Sequence, residues 1–144
     1  MKGRWPNTPL FRYSRMSRED TILWNQFIHD HGPEYESFDY DLPVGEGETP
    51  QEDLPDFLIK DWQDLTKKRI DAVGYKNNTA TIFEVKPRAG TSALGQLLTY
   101  KKLFSQTFPS VKPVNLTVIC SLILNDEKNV YNSQGITIYQ YTLI

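Results

Sequence analysis

Cysteine is nearly absent from this chain: of its 144 residues, Cys120 alone carries a thiol. A single thiol excludes an internal disulfide and fits a reducing compartment. Cys120 lies within the apolar run Leu116 to Leu124, so it reads as core rather than as a nucleophile. Long hydrophobic runs are missing as well. None approaches the roughly 18 residues that a membrane span needs. The segment Met1-Lys2-Gly3-Arg4-Trp5-Pro6 lacks the apolar stretch of a signal peptide. There is no internal repeat and no low-complexity tract. Histidine is scarce: His29 and His31 close a helical pattern, where cations suit the helix dipole, and they are not read as metal ligands. The absences leave a single domain without a membrane partner.

What is present is a folded core and a segregated charge. Hydrophobic residues make up 39% of the chain and aromatics 12%, enough for a sizeable interior. The net charge of −2 conceals three blocks. Residues 1–18 carry Lys2, Arg4, Arg12, Arg15 and Arg18 and no acid. Residues 19–64 are strongly acidic, with Lys60 their only base. Residues 67–102 form a basic island whose only acids are Asp71 and Glu84. A local positive surface can attract a polyanion despite a slightly negative total.

Along the chain, residues 1–16, with Trp5, Pro6, Pro9, Leu10, Phe11 and Tyr13, read as an extended arm that packs on its own domain or on a partner. Residues 17–144 read as one domain. Ser17 and Asp20 have the spacing of a capping box opening a helix that Gly32-Pro33 stops. The acidic stretch 39–53 reads as a solvated loop. Phe57 to Leu65 reads as a short connector anchored by Trp62. Arg69–Tyr75 and Thr79–Val85 have strand character, with a hairpin at Lys76-Asn77-Asn78, because Asn tolerates positive φ. Pro87 and Gly90 are expected to break the second strand. A helix capped by Thr91 or Ser92 runs to about Thr107. Val114–Leu124 and Ile136–Leu143 read as further strands. The order helix, strand, strand, helix, strand, strand implies an α/β fold with a central mixed sheet flanked by helices.

The chemistry concentrates in the basic island. Glu84 and Lys86 are two apart on a strand and project from one face, while Val85 points the other way. Asp71 is carried on the partner strand of the hairpin. Two carboxylates about 4 Å apart repel by roughly 4 kcal/mol at an effective dielectric near 20. A divalent cation turns that repulsion into binding, and oxygen ligands suit Mg²⁺ or Mn²⁺. Asp71, Glu84 and the Val85 carbonyl are therefore the expected metal ligands. Lys86 is placed to orient or deprotonate a water, or to neutralise charge on a phosphate. Gln96 and Tyr100 are four apart and share one helix face. The cheaper alternative is an ion-pair ladder on an exposed sheet.

Asp71, Glu84-Val85-Lys86 and Gln96-Leu97-Leu98-Thr99-Tyr100, in this order, resemble the PD-(D/E)xK nuclease superfamily, and the Gln-x-x-x-Tyr element resembles its RecB-like branch. The matching stretch runs from about Arg69 to Phe104. Ile70 stands where the family's name has Pro. The resemblance implies a restriction-endonuclease-like core. It also implies a Mg²⁺- or Mn²⁺-dependent nuclease that hydrolyses DNA phosphodiesters with a metal-activated water. On this reading Asp71, Glu84, Lys86, Gln96 and Tyr100 are catalytic. The family often adds an upstream acid from the first helix, for which Glu19, Glu34 and Glu36 are candidates. Lys67, Lys68, Arg69, Arg88, Lys101 and Lys102 are the expected DNA contacts. A rival reading is a structural or assembly component on the same fold, such as a viral head–tail connector or neck protein, docking through its aromatic arm or forming a homo-oligomer. The first reading places the protein in the cytoplasm, the second in a virion.

Overall fold

Five strands in the order of the sequence form one sheet, and helices cover both of its faces. The computed structural model describes residues 1–143. Helix α1 (Arg18–His31) is followed by a 3-10 turn and strand β1 (Ser37–Val44). Helix α2 (Asp56–Thr66) leads to β2 (Lys68–Lys76), β3 (Thr79–Ala89) and helix α3 (Thr91–Thr107). Strand β4 (Val114–Ile123), helix α4 (Asn125–Ser133) and strand β5 (Thr137–Gln140) complete the domain. β1, β2 and β3 pair antiparallel, whereas β3–β4 and β4–β5 pair parallel across helical connections. The expected α/β mixed sheet is what the chain forms.

Two apolar layers flank the sheet. On one side Leu23, Trp24, Phe27 and Ile28 of α1 pack on Phe38, Ala72, Phe83, Val85 and Ile119. The aromatic rings dominate here: Trp24 lies 5.0 Å from Phe83 and 5.2 Å from Phe27, centroid to centroid. On the other side Leu97, Tyr100 and Phe104 of α3, with Tyr131 of α4, cover Ile82, Val118 and Cys120. Cys120 is buried, as its apolar run implied.

Local chemistry explains the boundaries. Ser17 Oγ accepts from Asp20 N and Asp20 Oδ2 accepts from Ser17 N, both at 3.1 Å, closing the capping box at the start of α1. Asn77 and Asn78 both have positive φ, 50° and 64°, the conformation of a two-residue primed hairpin turn.

Several expectations need correction. The acidic stretch 39–53 is not all loop, since residues 39–44 lie in β1. Asp39 is buried there and accepts from Tyr75 OH at 2.8 Å and Arg4 N at 3.0 Å. Pro87 does not end β3, which runs to Ala89. Lys86 and Arg88 pair with β4 on one side, and β2 pairing has already stopped on the other, so the missing N–H interrupts no ladder. Residues 57–65 form helix α2 rather than a connector. Trp62 is no anchor, because α2 buries none of its residues. Helix α3 is capped by Gly90, one residue before the expected cap. Helix α4 was not foreseen, and β5 is shorter than 136–143. The N-terminal arm lies on its own domain: Trp5 and Phe38 exchange two backbone hydrogen bonds of 2.9 Å, and Tyr13 is buried.

Candidate active site

The site sits where the β2–β3 hairpin comes apart. Register pairing between the two strands ends at Ala72–Phe83, so Asp71 and Glu84 are the first residues beyond the last pair. In place of a ladder bond, Val85 N–H donates to Asp71 Oδ2 at 3.0 Å. The neighbouring strand bends at the same level. Tyr40 and Ala72 pack in the α1-side core while Leu42 and Ile70 pack in the α3-side core, so both strands change face around Asp41 and Asp71. Asp41 takes the left-handed backbone with φ of 52°. Backbone outliers of this sort cost on the order of 1–3 kcal/mol and persist where the surroundings over-determine them. Here Arg69 Nε donates to Asp41 Oδ1 at 2.7 Å and Ser14 Oγ donates to Oδ2 at 3.0 Å.

On β3 the side chains of Phe83 and Val85 point into the α1-side core, which directs Glu84 and Lys86 to the α3 side. Glu84 is 2% exposed, and its Oε2 is buried without a hydrogen-bond partner. Burial, then the adjacent Asp71 charge, push the Glu84 carboxyl up to about 9, against a weaker opposing pull from Lys86. Burial also raises Asp71, opposed by hydrogen bonding to its carboxylate. Tyr100 of α3 is pushed up to about 12 by burial and by the facing charges of Glu84 and Asp71. Gln96 Nε2 donates to Tyr100 OH at 3.4 Å, and Gln96 Oε1 is a second buried oxygen without a partner. The fold thus gathers Asp71, Glu84, Lys86, Gln96 and Tyr100 at one place.

Two orphaned oxygens and a carboxylate pair that holds a proton in the metal-free protein form a donor set suited to a hard cation. Among the described residues no group of three His, Cys, Asp or Glu side chains converges. Mg²⁺ commonly binds through one or two carboxylates and takes its remaining ligands from water and phosphate.

The sequence pattern did not single out Asp20. Its charge is a minor contribution raising both Asp71 and Glu84, which places the first turn of α1 near the parted strands. The signal was its place in the first turn of the first helix. The named acids lie elsewhere: Glu34 pairs with His31, and Glu36 accepts from Asn77 N at 2.9 Å in the hairpin turn. Glu19 is exposed beside Asp20. Of the expected DNA contacts, three are held by acids of the chain: Lys67 by Asp64 at 3.2 Å, Arg69 by Asp41 and Arg88 by Glu127 at 3.0 Å. Lys68, Lys101 and Lys102 are exposed and make no ion pair among the described residues.

No protein-family model and no curated protein sequence matches the chain. Solved structures do match its fold. A repair endonuclease from Pyrococcus abyssi superposes with a TM-score of 0.54 at 11% identity, over 91% of this chain and 50% of that one. EndoMS in complex with double-stranded DNA superposes with a TM-score of 0.51 at 12% identity, over 94% of this chain and 50% of that one. The chain therefore spans about half the length of these neighbours and shares their fold.

Proposed function

We propose that the protein is a Mg²⁺- or Mn²⁺-dependent DNA nuclease of the PD-(D/E)xK type, with the RecB-like Gln-x-x-x-Tyr element. The observation that carries this reading is the pair Asp71 and Glu84 on parted strands, with one Glu84 oxygen buried and unpartnered. The fold shared with a repair endonuclease and with a DNA-bound EndoMS supports it. Asp71, Glu84 and the Val85 carbonyl would hold the cation. Bound there, it would supply Lewis-acid activation of water and charge neutralisation at the phosphate. Asp71 is oriented by the Val85 N–H, which holds Oδ2 and would leave Oδ1 for the cation. Lys86 shares the face of Glu84 and brings positive charge to a scissile phosphate, where it would orient the attacking water. Gln96 and Tyr100 present a carboxamide and a hydroxyl from α3 toward the same pair, positioning substrate phosphate or water.

The test is cleavage of plasmid and linear DNA by purified protein with Mg²⁺ or Mn²⁺, with and without chelator. Lys86→Ala and Asp71→Asn should each lower the rate by at least about 10²-fold while the thermal transition is retained. Cleavage that persists in chelator, or in both variants, would sink the proposal.

A second reading, an assembly component on this fold, is favoured by one observation. Helix α2 exposes Phe57, Trp62 and Leu65, the last at 80%. Large exposed apolar patches mark interaction surfaces. On that reading the mass measured by sedimentation rises with concentration, and Trp62→Ala with Leu65→Ser returns it to 16.7 kDa. A wild-type chain that stays monomeric at high concentration would count against it.

A further inference from the structure

At the edge of the sheet, outside β1, lies a cavity that the proposed chemistry does not use. It occupies about 570 Å³ between the N-terminal arm and strand β1. Pockets that enclose small ligands commonly measure about 300–1,000 Å³. Arg4, Arg12 and Arg69 line it together with Trp5, Tyr13 and Tyr40. Arg69 is held by Asp41, but Arg4 and Arg12 make no ion pair among the described residues. Trp5 is 46% exposed, so much of its indole remains available. Behind it the rings of Tyr40 and the buried Tyr13 pack on each other 4.8 Å apart.

The wall of this cavity is a built one. Asp39, buried in β1, takes Arg4 N–H at 3.0 Å and Tyr75 OH at 2.8 Å. Ser37 Oγ accepts from Gly3 N at 2.8 Å, and Tyr13 OH accepts from Leu10 N at 2.8 Å. The contacts of Arg4 N with Asp39 and of Gly3 N with Ser37, together with the Trp5–Phe38 bridge, thus pin the arm at the place where it closes the cavity. The position is also telling. Tyr40–Ala72 and Leu42–Ile70 are paired, which sets Asp41, on the cavity rim, across from Asp71 in the site.

We infer that this cavity binds a nucleotide unit, its base against the exposed indole of Trp5 and its phosphate against Arg4 and Arg12. Aromatic faces accept any base by stacking, and guanidinium groups match phosphate oxygens with paired donors. A base can stack on Trp5 only when it is released from its own neighbours, so the form expected is a single-stranded segment. This assignment rests on the nuclease reading for the strand's destination, but not for binding itself. A free nucleotide offers the same chemistry.

Binding is measured in chelator, where no turnover occurs, by the anisotropy of a fluorescein-labelled oligothymidylate of twelve residues and by tryptophan quenching. The wild type should bind with quenched Trp5 emission, and Trp5→Phe should lose that quench. Arg4→Ala with Arg12→Ala should weaken binding at least tenfold. Trp5→Ala should weaken it roughly five- to hundredfold without changing the salt slope, as loss of one stacked base does. Competition by thymidine monophosphate separates the sources: weak competition identifies a strand, and competition equal to the oligonucleotide identifies a free nucleotide. Arg4, Arg12 and Trp5 project side chains to solvent, and circular dichroism melting checks that the variants fold. Unchanged affinity in folded Trp5→Ala and Arg4→Ala/Arg12→Ala proteins overturns the assignment. If those variants bind weakly while the wild type never cleaves DNA, the cavity stands and the nuclease reading falls. The reverse outcome drops the cavity and keeps the nuclease.

Discussion

In the metal-free protein at neutral pH the Glu84 carboxyl holds a proton, because burial and the adjacent Asp71 both disfavour its charged form. The unfolded chain has no such neighbours, and Glu84 there ionises near the ordinary value of 4.5. Between 4.5 and about 9 the native state therefore binds more protons than the unfolded one, and stability falls as pH rises. Each proton so held contributes a slope of at most about 1.4 kcal/mol per pH unit. Chelated protein should melt progressively lower from pH 5 to pH 9. Glu84→Gln, which keeps the shape and removes the titration, should flatten that profile. A wild-type melting temperature that is constant or rises across this window would contradict the assignment. If the proposed cation binds there, the same proton leaves, and apparent Mg²⁺ or Mn²⁺ affinity should increase with pH over the same range. Calorimetry in buffers of different ionisation enthalpy reads the released proton directly.

At the scale of elements, α3 carries one residue that helix formation alone would not choose. Gly95 lies in its second turn, is exposed, and has nothing within 4 Å of where a Cβ would stand. Gly95→Ala should therefore stabilise the protein by about 1 kcal/mol in urea denaturation, with no steric penalty. A loss of stability would mean that α3 is strained there in a way its backbone does not suggest. The elements that position the site were legible because their signals are local: Ser17 and Asp20 for α1, Asn77-Asn78 for the hairpin, and Glu84-Val85-Lys86 for the face of β3. The elements that were missed depend on distant partners. β1 looked like loop because Asp39 and Asp41 are acids, yet each is satisfied by groups remote in sequence, Tyr75 OH and Arg69. Helix α4 has one buried anchor, Tyr131, whose hydroxyl donates to Gly90 O at 2.6 Å, so no periodic apolar stripe announces it. Pro87 reads as a breaker until the parting of β2 from β3 is known. Asp20 was seen as a cap and not as a neighbour of the site, because only packing sets the first turn of α1 over Asp71.

At the scale of the molecule, part of the segregated charge is matched within the fold. Lys67, Arg69 and Arg88 belong to the basic island, yet each is matched by an acid from outside it or from its edge. Asp41 also draws Arg15 of the arm, at 3.9 Å. Paired cations have already spent their charge, and recruiting them to a phosphate would first break an internal contact. Of the expected DNA contacts, Lys68 at the start of β2 and Lys101 and Lys102 on α3 make no ion pair among the described residues and are free to replace counterions on DNA. Each such contact on duplex DNA changes the dependence of log affinity on log salt by about 0.9. Replacing all three lysines by Ala should reduce the slope measured between 50 and 200 mM salt by about 2.7. It should weaken binding of duplexes of any sequence to a similar degree, since phosphate contacts carry no base information. Replacing Lys67, Arg69 and Arg88 instead should lower stability more than it changes the slope, because their carboxylate partners would be left unmatched and Asp41 would lose its hold on a left-handed backbone. Fluorescence anisotropy across the salt series, with denaturation of both triple variants, separates the two sets. If the second set flattens the slope and the first does not, DNA lies over the ion pairs and not along α3, and the substrate path must be redrawn across β1 and β2.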